Sequence, residues 1–255
     1  MTIGVLYICT GKYTIFWESF YQSAEKYLLP GYEKHYFVFT DNESEIDTHQ
    51  NPFVHFVHQE KLGWPYDTLY RFKMFLKIEN ELTTMDYLFF FNANLVIQTP
   101  ITAEELLPNE QEELTVVQHP GFFSKSREEF TYDAQEKSKA YIAPEKGNIY
   151  IAGGLNGGKS SNYLQMIRTL SANIDIDHDK GIIALWHDES HINSYILDKE
   201  VKVLSPAYLY PENWDIPFEQ KILILDKKRF GGHKFLRQSS SKGLSFLAKI
   251  FSRKK

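Results

Sequence analysis

The order of strand-like and helix-like segments between residues 3 and 91 constrains this chain most. Apolar runs at residues 3–9, 36–40, 53–57 and 87–91 are each long enough for one strand and too short for a helix. Between them, residues 14–28 place Phe16, Phe20, Ala24 and Tyr27 on one helical face, and residues 67–79 do the same with Leu69, Phe72, Phe75 and Leu76. Pro30-Gly31 stops the first helix, and Asp41-Asn42 ends the second strand. Strand, helix, strand, strand, helix, strand predicts an α/β protein with a mostly parallel central sheet flanked by helices. Ligands bind such sheets beyond the carboxyl ends of the strands, which directs attention to Thr10-Gly11-Lys12-Tyr13, Asp41-Asn42 and Asn92-Ala93-Asn94.

Farther along, strands are expected at 114–118, 149–152, 201–204 and 222–225, and helices at 161–171 and 187–197. No repeat occurs, and the first linker-like stretch is Ser239-Ser240-Ser241. The 255 residues therefore divide into one expected α/β domain, 1–238, and a basic amphipathic tail, 239–255. In the tail, Leu244, Phe246, Leu247, Ile250 and Phe251 share a helical side with five basic residues nearby, a pattern that fits either an anionic membrane surface or a solvated terminus. Residues 1–238 keep 23 basic and 33 acidic groups, a net charge of −10 that argues against nucleic acid as a partner. Cys9 has no disulfide partner within the chain, the N-terminus lacks the basic region of a secretion signal, and no run of 18 apolar residues spans a membrane. The expected location is cytoplasmic, with the tail either at the inner face of a membrane or free in solvent.

Three segments carry chemistry, each with a plainer reading beside it. Gly153 to Ser160 matches G-x-x-x-x-G-K-S, a phosphate-cradling loop, yet too little chain follows Lys159 to complete a nucleotide-hydrolase core. A glycine-rich turn permitting close backbone approach to a ligand is the plainer reading. His187 and His191 share a helical face as zinc ligands would, but Asp188 stands where a zincin needs glutamate. The same segment sets Asp188 and Glu189 beside Trp186 at a helix start, where carboxylates either cap the helix or, with the indole, form a sugar site. Asn92-Ala93-Asn94 follows a strand where D-x-D would present carboxylates to a divalent metal; neutral amides hydrogen-bond phosphates or sugar hydroxyls instead, or simply form a turn.

Taken in order, Gly11-Lys12-Tyr13, residues 35–41, Trp64 with Arg71, residues 86–94, Phe130-Thr131-Tyr132, Ala140-Tyr141-Ile142, residues 152–158, residues 186–193 and Leu204-Ser205-Pro206 resemble glycosyltransferase family 6. That family includes the blood group A and B transferases and the α-1,3-galactosyltransferases. The resemblance implies a GT-A fold, a UDP-sugar donor, and α-1,3 transfer of Gal or GalNAc to a galactose-containing acceptor with retention of configuration. It implies that Glu189 is the carboxylate below the anomeric carbon, as a covalent nucleophile or as a stabiliser of an oxocarbenium-like transition state. It assigns Ile8, Cys9, Thr10, Tyr13, Arg71, Asn92, Asn94, Ala152, Gly153, Gly154, Asp188 and Arg237 to the donor, and His119, Thr131, Trp186 and Glu189 to the acceptor.

Two departures shape the expectation. Vertebrate members carry D-x-D and require Mn²⁺, whereas Asn92-Ala93-Asn94 resembles the bacterial members that work without metal, so no cofactor is expected and the leaving diphosphate must be met by protein cations and N–H donors. Arg237 matches the arginine of the family's closing C-terminal arm, and Lys227 or Lys228 would have to stand in for its lysine, since that position falls on Gly231. The lack of a stem and membrane anchor likewise resembles the bacterial members. Ala152 with Gly154 leaves room for an acetamido group, which favours UDP-GalNAc; His119 and Thr131 point to a fucosylated galactose. Leu155-Asn156 replaces the family's usual two aromatics. A UDP-Gal-using α-1,3-galactosyltransferase, a phosphate-loop nucleotide-binding protein and a non-catalytic carbohydrate-binding protein are the alternatives, and retention of Glu189, Arg71 and Trp186 opposes the last.

Overall fold

The computed structural model describes residues 1–238, so the expected tail at 239–255 lies outside the described residues. The strands are β1 (Thr2–Ile8), β2 (Glu33–Thr40), β3 (Val54–His58), β4 (Tyr87–Phe91), β5 (Leu95–Ile97), β6 (Leu114–Gln118), β7 (Ile151–Lys159), β8 (Val201–Leu204), β9 (Tyr210–Pro211) and β10 (Ile222–Ile224). Seven of them form one sheet in the order β3-β2-β1-β4-β7-β6-β8, and β5-β10-β9 form a small second sheet. Only β7 runs against the rest of the large sheet, so the architecture is the mostly parallel α/β arrangement of a GT-A-like glycosyltransferase fold.

β1 shows why both faces of this sheet are dry. Ile3, Val5, Tyr7 and Cys9 point into one core and Leu6 into the other, as period-two alternation requires of a central parallel strand. The first core is closed by α1 (Trp17–Tyr27), whose Phe20 stacks on Tyr7 at 4.5 Å. Facing the second core are α2 (Tyr66–Leu69), α3 (Arg71–Phe75), α4 (Glu79–Leu82) and the 20-residue α6 (Ser160–Asp179). Shorter α5 (Ala103–Leu106), α7 (Asp188–Tyr195) and α8 (Gly232–Leu236) sit at the periphery and around the carboxyl ends of the strands. Among the described residues no helix is long and apolar enough to cross a membrane.

Two sequence expectations change here. The single helix over 67–79 is three short ones; the chain leaves helical geometry at Tyr70 (φ −96°, ψ 14°), and the following Arg71 is turned inward and buried. The strand expected at 149–152 instead spans Ile151–Lys159 and takes in the whole glycine run. That run is therefore neither a phosphate loop nor a turn: its backbone pairs with β4 on one side and partly with β6 on the other. Gly157 is glycine because a Cβ there would overlap the Phe89 ring and the Leu88 carbonyl. The phosphate-loop alternative falls with this geometry. Between Val116 and Val117 the register jumps from Asn156 to Ala152, so residues 153–155 bulge out of the β6 ladder at the edge of the cleft.

Candidate active site

The cleft opens at the carboxyl ends of β1 and β4, between Ile8, Thr10, Tyr13, Trp64, Asp67, Thr68, Arg71, Phe90, Asn92, Asn94, Lys227 and Arg237. A roomier but more open depression lies at the opposite ends of these strands, around Met85, Lys159 and Arg168, away from the carboxyl ends where ligands bind such sheets.

Beyond Arg71, itself part of the lining, stand two carboxylates. The bulge in β7 frees the Gly153 peptide from strand pairing, and both of its polar atoms turn to site residues. Gly153 N–H donates to Glu189 Oε2 at 2.8 Å, and its carbonyl accepts from Arg71 Nη1 at 2.7 Å and from Asn156 Nδ2 at 3.1 Å. Tyr163, buried in the second core, donates to Asn156 Oδ1 at 2.7 Å and fixes that amide. Arg71 also lies 2.6 Å from Asp188 Oδ2 and stacks over Phe90 at 4.1 Å. The approach to Asp188 is an ion contact without aligned hydrogen-bond geometry, so Oδ2 keeps an unused acceptor site. Burial pushes the Asp188 carboxyl up to about 6 against the pull of Arg71. Burial likewise pushes Glu189 up to about 7, opposed by the Gly153 N–H and the Tyr150 hydroxyl.

His187 produces this geometry. It has φ 55° and ψ −123°, sparsely populated for a non-glycine residue, and the chain turns there into α7. Asn193 then clamps α7 to β7 through Ile151 N–H, the Ile151 carbonyl and the Glu189 carbonyl. The two histidines do not converge. His187 packs edge-on against Trp64, whereas His191 is buried with Nε2 3.8 Å from Asp177, and burial pushes its imidazole down to about 4. The zinc reading is thereby corrected: among the described residues no three His, Cys, Asp or Glu are placed to hold a metal.

Next to the carboxylates lies an aromatic wall. Trp186 Nε1 donates to Thr131 Oγ1 at 2.8 Å, and Tyr150 donates to Glu189 Oε1 at 3.1 Å. His119 packs against Phe122 and Tyr150, accepts Gly121 N–H on Nδ1, and is pushed down to about 4 by burial, so its ring is neutral near pH 7.

The far end of the cleft is cationic. Leu225 N–H donates to the Asn94 carbonyl at 2.8 Å, and Asn94 Nδ2 donates to the Leu225 carbonyl at 2.8 Å, so residue 94 anchors the segment that carries Lys227. Lys227 lies over Tyr13 at 5.3 Å; burial, reinforced by Arg237, pushes its ammonium down to about 8. The Arg237 guanidinium sits 3.7 Å above the Trp64 ring. Lys61 Nζ fastens this arm from below by donating to the Leu236 and Gln238 carbonyls. Lys228 is exposed and lines a neighbouring groove, so of the two lysines named from sequence, Lys227 is the one in the cleft.

Of the residues named from sequence, Ile8, Thr10, Tyr13, Arg71, Asn92, Asn94 and Arg237 line this cleft, and Arg71 joins Gly153 and Asp188 to it. Cys9 does not present its thiol there: the side chain is buried in the first core, and its carbonyl accepts from Thr40 Oγ1. Asn92 donates its backbone N–H to the Gly154 carbonyl. Leu155 and Asn156 point into the protein, Leu155 into the first core and Asn156 into the polar layer behind Gly153. Tyr150, Tyr163, Lys61 and Asn193 went unassigned in the sequence because each reads there as ordinary core or surface material.

A model described as Glycosyltransferase family 6 matches residues 1–231. The chain is 35% identical over 229 residues to the O-antigen biosynthesis glycosyltransferase WbnI of Escherichia coli, covering 90% of this chain and 96% of that protein. It is 30% identical over 235 residues to the human globoside alpha-1,3-N-acetylgalactosaminyltransferase 1, covering 88% of this chain and 65% of that one. Over 242 residues it is 32% identical to the rat histo-blood group ABO system transferase 1, with 90% and 65% covered. The chain thus spans a little under two thirds of the length of these animal relatives. With the sheet order already matching what the motif order implied, this coverage shows that the chain belongs to glycosyltransferase family 6.

Proposed function

We propose that this glycosyltransferase moves GalNAc from UDP-GalNAc, in α-1,3 linkage and with retention, to the galactose of a Fuc-α-1,2-Gal acceptor. The observation that carries the reading is the Gly153-Gly154 segment. Gly153 holds Glu189 and Arg71, and at Gly154 the atoms nearest to an added Cβ are those of Leu209 and the Asn92 amide at 3.5–3.7 Å, an uncrowded position that favours a donor with a 2-acetamido group. In this reading Asp188 and Arg71 hold donor hydroxyls and phosphate, with Ile8, Thr10 and Tyr13 along the nucleotide. Glu189 faces the anomeric carbon, and His119, Thr131 and Trp186 receive the acceptor.

At the 92–94 turn a divalent metal would find only neutral amide oxygens, weaker ligands for a hard cation than the carboxylates of D-x-D. The charge that develops on departing UDP falls instead to Lys227 and Arg237, whose positive groups stand at the far end of the same cleft. UDP release should be measured with UDP-GalNAc and UDP-Gal, each with a fucosylated and an unfucosylated galactoside. The reading requires UDP-GalNAc with the fucosylated acceptor to give the highest kcat/KM; preference for UDP-Gal would overturn the donor assignment, and indifference to fucose the acceptor assignment.

A further inference from the structure

A continuous hydrogen-bonded chain runs from the acceptor wall to Glu189. An indole N–H can only donate, so Trp186 must give its proton to Thr131 Oγ1, at 2.8 Å. The Thr131 hydroxyl proton is then free for the Tyr150 oxygen, 3.3 Å away. Tyr150 has one proton of its own, and an ionised Glu189 can only accept, so that proton goes to Oε1 at 3.1 Å; the competing Thr131 carbonyl is farther, at 3.4 Å. Glu189 Oε2 is already held by Gly153. Each carboxylate oxygen therefore has one fixed donor, and its remaining lone pairs are left for the cleft.

We propose that Tyr150 is a positioning residue for Glu189 and couples that carboxylate to the acceptor-side pair Trp186 and Thr131; the proposal rests on the reading of Glu189 given above. Tyr150 is well suited to the task. Its ring is buried, stacked on Tyr132 at 5.2 Å and packed on Phe122 at 4.4 Å, so the hydroxyl is aimed by close packing. Burial and the neighbouring Glu189 push its own phenol far above the ordinary range, so it stays protonated and remains a donor wherever Glu189 is ionised. At the other end Trp186 is 47% exposed and free to meet a sugar face. A sugar stacked there would fix the indole, and through Thr131 and Tyr150 the order is passed to Glu189.

The test is Tyr150→Phe, which keeps the packed ring and removes only the hydroxyl. Expected are a fall in kcat of about tenfold or more, the scale of one hydrogen bond to a charged group, with donor KM nearly unchanged. The acidic limb of the kcat–pH profile should also move to higher pH, because a donor that favours the ionised carboxylate has been lost. Thr131→Val should give a smaller shift of the same sign, and Thr131→Ser should restore the wild-type limb; this pair also decides the matter if Tyr150→Phe does not fold. Lower thermal stability with an unmoved pH limb would make Tyr150 merely structural and overturn the proposal. If Glu189→Gln abolishes turnover while Tyr150→Phe and Thr131→Val match wild type, the coupling alone is wrong. If Glu189→Gln also turns over normally, the reading of Glu189 itself fails.

Discussion

The two ends of the cleft are built in opposite ways. The carboxylates are carried by the interior: Asp188 is buried, Glu189 is half-buried, α7 is clamped by Asn193, and both are backed by Gly153, Asn156 and Tyr163. The cations sit on a short C-terminal arm, held by Asn94 at its start and by Lys61 and Trp64 near its end. Burial pushes these carboxyls up to about 6 and 7, whereas the arm is tied to the body through side chains, with Phe230 edge-on against Phe16, Leu236 buried in the first core and Lys12 bonded to Gln238. In the function proposed above, the carboxylates serve the transferred sugar and the cations of the arm serve the diphosphate.

Glu189→Gln should have the largest effect, lowering kcat by about 100-fold or more with little change in donor KM. It should also stabilise the folded protein above neutral pH. The folded carboxyl titrates near 7 and an unfolded one near 4, so protons bind more strongly to the folded state and stability declines as pH rises between those values. Removing the charge should raise Tm at pH 8 by about 2–4 °C, the shift that about 1 kcal/mol produces in a domain of this size. A Tm that falls instead would mean that the carboxylate is not strained by burial.

The pH profile of kcat/KM tests both ends together. Activity should rise with pH as Glu189 ionises near 7 and fall again as Lys227 loses its proton near 8, giving a narrow bell. Lys227→Arg should remove the alkaline limb and leave the acidic one in place. An unmoved alkaline limb would separate Lys227 from diphosphate recognition.

Smallest in stability but diagnostic for donor choice is Gly154→Ala. The added methyl has ordinary contact distances to Leu209 and Asn92, so Tm should stay within about 1 °C while the ratio of UDP-GalNAc to UDP-Gal turnover falls about tenfold. Gly153→Ala offers the contrast, since its Cβ would lie 3.0 Å from Asp188 Oδ2 and displace the carboxylate for either donor.

How much of this was legible in the sequence follows from what each feature requires. The strands at 87–91, 114–118 and 201–204 were readable because buried strands are short apolar runs, and β4, β6 and β8 have those same bounds. Glu189, Arg71 and Arg237 were named through the order of motifs; Arg71 and Arg237 line the cleft, and Glu189 is bonded to Gly153. β7 was not, because a glycine run loses every mark of strand propensity when a neighbouring strand leaves no room for a Cβ. Tyr150 was hidden for the converse reason, since among so many aromatics one whose hydroxyl reaches a carboxylate looks like any other core ring. Asn94 resembled a turn residue or a relic of a metal site, and only the pairing with Leu225 shows that its amide nitrogen is in use.

The division of labour between the two ends is tested most directly by isothermal titration of UDP in excess EDTA against wild type, Glu189→Gln and Arg237→Ala. Wild type and Glu189→Gln should bind UDP with the same Kd, and Arg237→Ala should bind at least about tenfold more weakly, the loss expected when one charge-assisted contact to phosphate is removed. UDP binding that needs added Mn²⁺, or that is unchanged in Arg237→Ala, would contradict the account.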